Sequence, residues 1–235
     1  MKIGMIGGIG PESTVDYYKR LVELYQKNTH TEHYPEILIN SIDMTAMLQL
    51  IADKNWEELI AMLTEAVNCL QRAGADVAFI ASNTPHVVFE DVKRISDIPL
   101  VSILEATRMT AQKLGLKKLG LLGTFFTMQS GFYQAEFDKS KIALVIPNEE
   151  EQQYIQHKLF TEIEHGVFLE ETRRGLLKIV KRLIDEESID GAILGCTEIP
   201  LILTKDEYGI PFLNTTEIHA QRIFDTYLEL RAEKC

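Results

Sequence analysis

Cys196 is the residue of this chain best placed to do chemistry. It follows Gly195 at the end of the apolar run Ala192-Ile193-Leu194 and precedes Thr197-Glu198. That context predicts a strand end passing into a helix start. A helix N-terminus lowers a thiol's pKa from its reference of about 8.5. The sequence therefore predicts a thiolate able to take a proton or attack a carbon. Cys69 lies inside a helical pattern beside Leu70, and Cys235 is the last residue of the sequence. Three cysteines without metal spacing fit free thiols in a cytoplasmic protein.

The Cys196 segment has a counterpart earlier in the chain. Gly74-Ala75-Asp76-Val77-Ala78-Phe79-Ile80-Ala81-Ser82-Asn83-Thr84 matches Ile189-Asp190-Gly191-Ala192-Ile193-Leu194-Gly195-Cys196-Thr197-Glu198. Asp76 to Asp190 and Ser82 to Cys196 have the same separation, 114 residues. Lys2-Ile3-Gly4-Met5-Ile6-Gly7-Gly8 likewise matches Lys118-Leu119-Gly120-Leu121-Leu122-Gly123-Thr124 at an offset of 116. Two copies of one half-structure would set Ser82 and Cys196 at equivalent strand ends. Chemistry on both faces of one carbon needs such a pair.

The elements that must position these residues alternate between strand and helix. Strands are expected at Ile3–Ile6, Ile37–Ile42, Val77–Ala81, Pro99–Val101, Leu119–Leu122, Ala143–Ile146, Ala192–Leu194 and Phe212–Leu213. Helical spacing covers Glu12–Asn28, Trp56–Ala73, Glu105–Leu114, a segment from about Met128, Glu149–His165, Leu169–Glu186 and Thr216–Glu233. Pro85 suits the first turn of a helix, where its missing N–H is no loss. Alternation of this kind implies parallel sheets with right-handed crossovers. The doubling implies two of them. The expected division is 1–97 with 210–235 as one α/β domain and 98–209 as the other. The last strand and helix are assigned to the first domain.

In parallel sheets, ligands sit outside the carboxyl ends of strands. Four loops lie there: Gly7–Thr14, Ser82–His86, Gly123–Thr127 and Cys196–Glu198. Each precedes a helix, so unpaired N–H groups and a positive dipole end suit a carboxylate. Ser13, Thr14, Asn83, Thr84, Thr124, Thr127 and Thr197 suit the same task. They equally suit N-capping. Gly4-Met5-Ile6-Gly7-Gly8-Ile9-Gly10 lacks the register of the dinucleotide fingerprint and the lysine of a phosphate loop, so no nucleotide cofactor is expected. No metal is expected either: His30, Glu32 and His33 sit in a short loop without partners.

The formal net charge of −11 argues against nucleic acid and anionic membrane surfaces as partners. No apolar run approaches the roughly 20 residues of a spanning helix. The start, Met1-Lys2-Ile3-Gly4-Met5-Ile6-Gly7-Gly8, looks like a first strand and is too Gly-rich for a signal peptide.

These residues bring the chain close to a known family. It resembles the aspartate/glutamate racemase family in Ile6-Gly7-Gly8-Ile9-Gly10-Pro11-Glu12-Ser13-Thr14, Ser82-Asn83-Thr84-Pro85-His86, Leu121-Leu122-Gly123-Thr124 and Gly195-Cys196-Thr197-Glu198-Ile199. The resemblance runs on to Ile218-His219-Ala220. It implies two pseudo-symmetric doubly wound α/β domains with the active site in the cleft between them. It implies racemisation of an amino acid without cofactor or metal: one residue removes the α-proton, and another protonates the opposite face. On that resemblance Cys196 and Ser82 are the catalytic pair, and Gly8, Ile9, Asn83, Thr84, Thr124, Thr127, Thr197 and Glu198 bind the substrate. A homodimer is also implied.

The chain departs from the family at Ser82, where most members carry a cysteine. A hydroxyl is a far weaker acid than a thiol. His86, four residues on, can orient Ser82 or a bound carboxylate, or simply pack. His219, inside the last helix, reads as structural. The substrate expected by default is aspartate or glutamate. However, Asp43-Met44-Thr45-Ala46-Met47-Leu48-Gln49 has no arginine, and Glu164 stands near where some aspartate racemases have a lysine. If Glu164 faces the substrate, a neutral or basic amino acid fits; otherwise it is a solvated helix charge. The rivals are a single-thiol decarboxylase or isomerase in which Cys196 protonates an enediolate, and an amino-acid-binding protein that has lost turnover.

Overall fold

In a computed structural model, residues 1–29 and 32–233 are described; His30 and Cys235 lie outside them. The elements run β1 (Lys2–Gly7), α1 (Pro11–Thr29), β2 (Glu36–Ser41), α2 (Met44–Ala52), α3 (Trp56–Arg72), β3 (Val77–Ile80), a 3-10 turn Thr84–Val88, α4 (Phe89–Ile95), β4 (Leu100–Val101) and α5 (Ile103–Lys113). There follow β5 (Lys118–Leu122), α6 (Phe125–Gln129), α7 (Phe132–Asp138), β6 (Ala143–Val145), α8 (Glu149–Thr161), a 3-10 turn Ile163–His165 and α9 (Glu170–Glu187). The chain ends with β7 (Gly191–Leu194), a 3-10 turn Ile199–Leu201, β8 (Phe212–Asn214) and α10 (Thr215–Glu233).

Two four-stranded sheets result, ordered β2-β1-β3-β4 and β6-β5-β7-β8. Every strand pair is parallel. The chain divides into two compact units, Met1–Ile103 with His219–Cys235, and Leu104–Ile218.

The repeat has a physical basis at three points in each unit. Asp76 accepts the Lys2 N–H at 2.6 Å, while Asp190 accepts those of Lys117 and Lys118 at 2.7 and 3.0 Å. Each carboxylate thus pins the start of the neighbouring strand. Gly4 and Gly120 face the crossover helices: an added Cβ would stand 3.2 Å from Leu70 of α3 in one unit and 3.2 Å from Leu183 Cδ1 of α9 in the other. Finally, α3 and α9 both end in a left-handed residue, Gly74 at φ +92° and Ser188 at φ +56°. Glycine adopts that conformation freely, whereas serine does so under strain.

Two assignments need correction. Leu100–Val101 pairs with β3 in the first sheet, although residues 98–209 were expected to form the second domain. Phe212–Asn214 pairs with β7, with Leu194 opposite Asn214, so β8 completes the second sheet rather than returning to the first. The 3.0 Å bond from Ala192 N–H to Pro211 O fixes this edge, as the 2.9 Å bond from Ala78 N–H to Pro99 O fixes the other. Only from His219 does α10 belong to the first unit, where Ala220, Ile223, Phe224 and Tyr227 join the core with Ile3, Met5, Tyr17 and Phe79. Met44–Ala52 is a helix outside the expected helical segments; Asp43 caps it by accepting the N–H groups of Thr45 and Ala46. Among the described residues, no helix is long and apolar enough to cross a membrane.

Asp190→Ala leaves two N–H groups at the head of β5 without their acceptor and should lower unfolding stability by about 1–2 kcal/mol. Ser188→Gly should raise it by roughly 1 kcal/mol by relieving the left-handed strain. Urea titration of the two variants against the parent checks both signs.

Candidate active site

In the first unit, the loops after β1 and β3 lie side by side because those strands pair directly. Gly8 must lack a side chain: at φ +80°, a Cβ would stand 2.5 Å from Ile42 O and from Ser41 Oγ. The Gly8 N–H donates to Thr14 Oγ1 at 3.0 Å, and the Thr14 hydroxyl donates to Gly10 O at 3.0 Å. Ser13 donates to Gly10 O at 2.9 Å and reaches Ala81 O at 3.4 Å, tying this loop to the one that carries Ser82. Ser13 and Thr14 therefore build the loop. Ile9, Ser82 and Asn83 are buried beside them.

His86 is locked as a neutral ring. Its Nε2 accepts the Ile103 N–H at 3.3 Å, and the ring stacks on Phe89 at 4.7 Å. Nδ1 faces the backbone of Ser82 and Asn83 without a well-formed hydrogen bond. Burial, then the nearby His219, lowers its pKa to about 3. His86 thus anchors the Ser82 loop to the β4–α5 junction, and its accepting nitrogen is engaged with Ile103. His219 is structural: its Nε2 pairs with Val101 O at 3.0 Å and its Nδ1 with the Tyr17 hydroxyl at 2.8 Å. Burial lowers its pKa to about 3 as well.

In the second unit, the loops after β5 and β7 are joined by the Gly195 N–H donating to Leu122 O at 2.6 Å. Gly195 permits this approach, since a Cβ would meet Leu122 O and Leu121 Cδ1 at 2.9 Å. Thr124 caps α6 by accepting the Thr127 N–H at 3.3 Å, and their hydroxyls are 3.1 Å apart. The Phe125 N–H donates to Gln156 Oε1 at 2.8 Å. Those N-terminal donors are met from within the protein.

Cys196 is buried at 8% exposure and is not the thiolate expected from sequence. Its thiol donates to Glu198 Oε2 at 3.0 Å, and the Thr197 hydroxyl donates to the same oxygen at 2.9 Å. Burial, then the Glu198 charge, pushes the thiol well above its ordinary pKa. The helix-dipole expectation fails because the element that follows is only the 3-10 turn Ile199–Leu201. A short turn has little dipole, while a carboxylate at hydrogen-bond distance has a full charge. The same weakness applies at Thr84–Val88, also a 3-10 turn.

Two further groups gather at Cys196. Glu164, in the turn after α8, is raised to about 7 by burial and then by the Glu198 charge, so it is not an ordinary solvated carboxylate. Tyr133 on α7 is buried; burial, then Cys196, raises its pKa. Tyr133 was missed because an aromatic residue in a short helix carries no local mark of its neighbours. The role of Glu198 as thiol partner had a faint signal, its place two residues after Cys196 in a tight turn. Among the described residues, no group of three or more His, Cys, Asp and Glu could hold a metal ion.

Fold and loops describe a doubly wound α/β protein of duplicated design, with chemistry-bearing residues after β3 and β7. The chain belongs to the Asp/Glu/hydantoin racemase family, whose model matches residues 6–223. It is similar over nearly its whole length to a candidate Asp/Glu racemase from Yersinia pestis, with 31% identity, TM-score 0.87 and coverage of 97% of this chain and 99% of that one. An aspartate racemase homologue from Pyrococcus horikoshii OT3 gives 35% identity and TM-score 0.83 over 96% and 98%. A broad specificity amino-acid racemase from Bacillus subtilis (strain 168) is 25% identical over 229 residues, 96% of this chain and 98% of the relative.

The titrations have opposite signs. Native pKa values near 3 for His86 and His219 keep them neutral while the unfolded chain protonates from about 6.5. Stability from these two should fall as pH drops below about 6.5, by about 1.4 kcal/mol per pH unit for each histidine at most. Glu164 is protonated more readily in the native state, so its contribution falls as pH rises from 4.5 through about 7. Glu164→Gln should therefore remove a loss of roughly 1 kcal/mol between pH 5 and pH 8, after allowance for its partial exposure. Thermal melts of parent and variant across that range check the sign.

Proposed function

We propose that this protein is a cofactor-independent amino-acid racemase. Cys196 removes the α-proton of a free amino acid, and Ser82 delivers a proton to the opposite face, directly or through water. The observation that carries the reading is the state of Cys196: a buried thiol at a strand's carboxyl end, hydrogen-bonded to a carboxylate able to exchange its proton. Membership of a racemase family across residues 6–223 supports it. Gly8, Ile9, Asn83, Thr84, Thr124, Thr127 and Thr197 supply the surrounding loops. Charge developing at Cα is spread into the α-carboxylate, where loop donors stabilise it.

The two catalytic groups are unequal. A serine hydroxyl is a poor base, and the accepting nitrogen of His86 is engaged with Ile103. Proton removal from the enantiomer that presents its α-hydrogen to Ser82 should be the slow direction.

Aspartate and glutamate are the default substrates from the family. The surroundings of Cys196 favour a neutral or cationic side chain instead. Glu198 and Glu164 both raise the pKa of the thiol through their negative charge. A second substrate carboxylate there would meet like charge. The broad specificity of the Bacillus subtilis relative supports a wide substrate range. A homodimer in the cytoplasm follows from the family resemblance; light scattering should then give twice the chain mass.

The protonated state of Cys196 favours one second reading, a decarboxylase or isomerase in which the thiol protonates an enediolate. Product analysis separates the two, since a racemase yields both enantiomers with no loss of carbon.

The test is α-proton exchange in D2O with a panel of L- and D-amino acids. Exchange should be faster from one enantiomer, and Cys196→Ala should reduce it by about 10²–10⁴-fold. Ser82→Cys should gain activity on at least one substrate. Equal exchange from both enantiomers would refute the asymmetry, and no exchange from any amino acid would refute the racemase reading.

A further inference from the structure

The two nitrogens of His86 are used unequally. Nε2 accepts the Ile103 N–H at 3.3 Å, so in a neutral imidazole the single ring proton sits on Nδ1. That Nδ1–H is buried, and among the described residues it meets no acceptor in hydrogen-bond geometry. The backbone beside it belongs to Ser82 and Asn83. The Asn83 carbonyl already accepts the His86 N–H at 3.0 Å. The Ser82 carbonyl has Pro85 three residues on, which brings no N–H to it. We infer that His86 is a positioning residue for Ser82: its Nδ1–H closes onto the Ser82 carbonyl when substrate binds and fixes where the serine hydroxyl stands. This rests on the racemase reading for its catalytic consequence, though not for the hydrogen bond itself.

A buried N–H without an acceptor is costly, and a small shift of the Ser82 peptide would satisfy it. Hydrogen bonds that serve catalysis are often long before substrate binds and tighten afterwards. Phe89 stacks on the ring at 4.7 Å with planes only 8° apart, so the ring stays fixed while the loop moves to it. Other holds on the loop are weak. The Ser13 hydroxyl stands 3.4 Å from Ala81 O, and the turn that follows is the 3-10 turn Thr84–Val88.

The duplication supplies a comparison. At 114 residues past His86 stands Pro200, in the turn after Cys196. Such a turn therefore forms without a histidine, and the ring is not needed to build it. His86 shares its proton with the carbonyl and does not give it up, so the ring stays neutral and the protons of turnover are unaffected.

Two substitutions divide the ring. Glutamine carries its oxygen to the place of Nε2 and lacks the Nδ1–H; asparagine keeps a donor at Nδ1 and lacks Nε2. His86→Gln should melt near the parent, yet lower kcat about 10–10²-fold with KM little changed. Exchange in D2O from the enantiomer that faces Cys196 should persist in that variant while inversion falls, because only inversion needs Ser82. His86→Asn should melt lower, with the Ile103 N–H deprived of this acceptor, yet retain kcat to within about threefold. In the parent, the Nδ1 proton should give a protected 15N-coupled resonance that moves downfield when the amino acid of fastest exchange is added. Activities that follow the order of melting overturn the positioning role and leave His86 structural. A resonance that does not move, or a ring proton on Nε2, overturns the closure onto Ser82, and that measurement decides the matter if neither variant folds. If the parent exchanges no amino acid, the racemase reading fails by itself; a ring proton on Nε2, or His86→Asn melting above His86→Gln, then still overturns the geometry inferred for the ring.

Discussion

A parallel strand hands its chain to a crossover at its carboxyl end, and the crossover delivers it to the amino end of the next strand, so every loop after a strand collects on one edge of the sheet. The arrangement of this molecule depends on that constraint. It brings the Gly7–Thr14 and Ser82–His86 loops together in the first unit, where Ser13 reaches Ala81 O. It does the same for Gly123–Thr127 and Cys196–Glu198 in the second, through the Gly195 bond to Leu122. Gly4, Gly8, Gly120 and Gly195 are among the positions where a neighbour comes too close for a side chain to fit unmoved.

At these strand ends, local charge and burial decide the chemistry. Cys196 sits at the kind of strand end that activates a thiol when a long helix follows. Here a short turn follows and a carboxylate stands beside the sulfur, so the resting group is a thiol. His86 shows the same rule from the other side. Four residues from Ser82 it looks like a base, yet burial keeps it neutral and the Ile103 N–H takes up its lone pair. A residue's type states what it is able to do; its hydrogen-bond partner states whether it is committed elsewhere.

Duplication was legible because the 114-residue offset carries physical marks, an aspartate that pins a strand and an apolar run that ends on a small polar residue. The place of β8 was not. A strand of three residues has no periodicity, and its partner is set by the Pro211 carbonyl and the free edge of β7. The helix after Asp43 was hidden for a related reason: at nine residues it offers little periodicity, and its start is marked by the Asp43 carboxylate accepting two N–H groups.

The order of residues alone determined the alternating strands and helices, the doubling, and the singling out of Ser82 and Cys196, because periodicity, turn chemistry and repeated spacing are local properties. Tertiary structure alone decided that the Cys196 thiol donates to Glu198, that Glu164 feels the same charge, and that His219 ties α10 to Tyr17 and Val101. Ionisation depends on which groups meet in space and how much water remains around them, and neither is written in the spacing of residues along the chain.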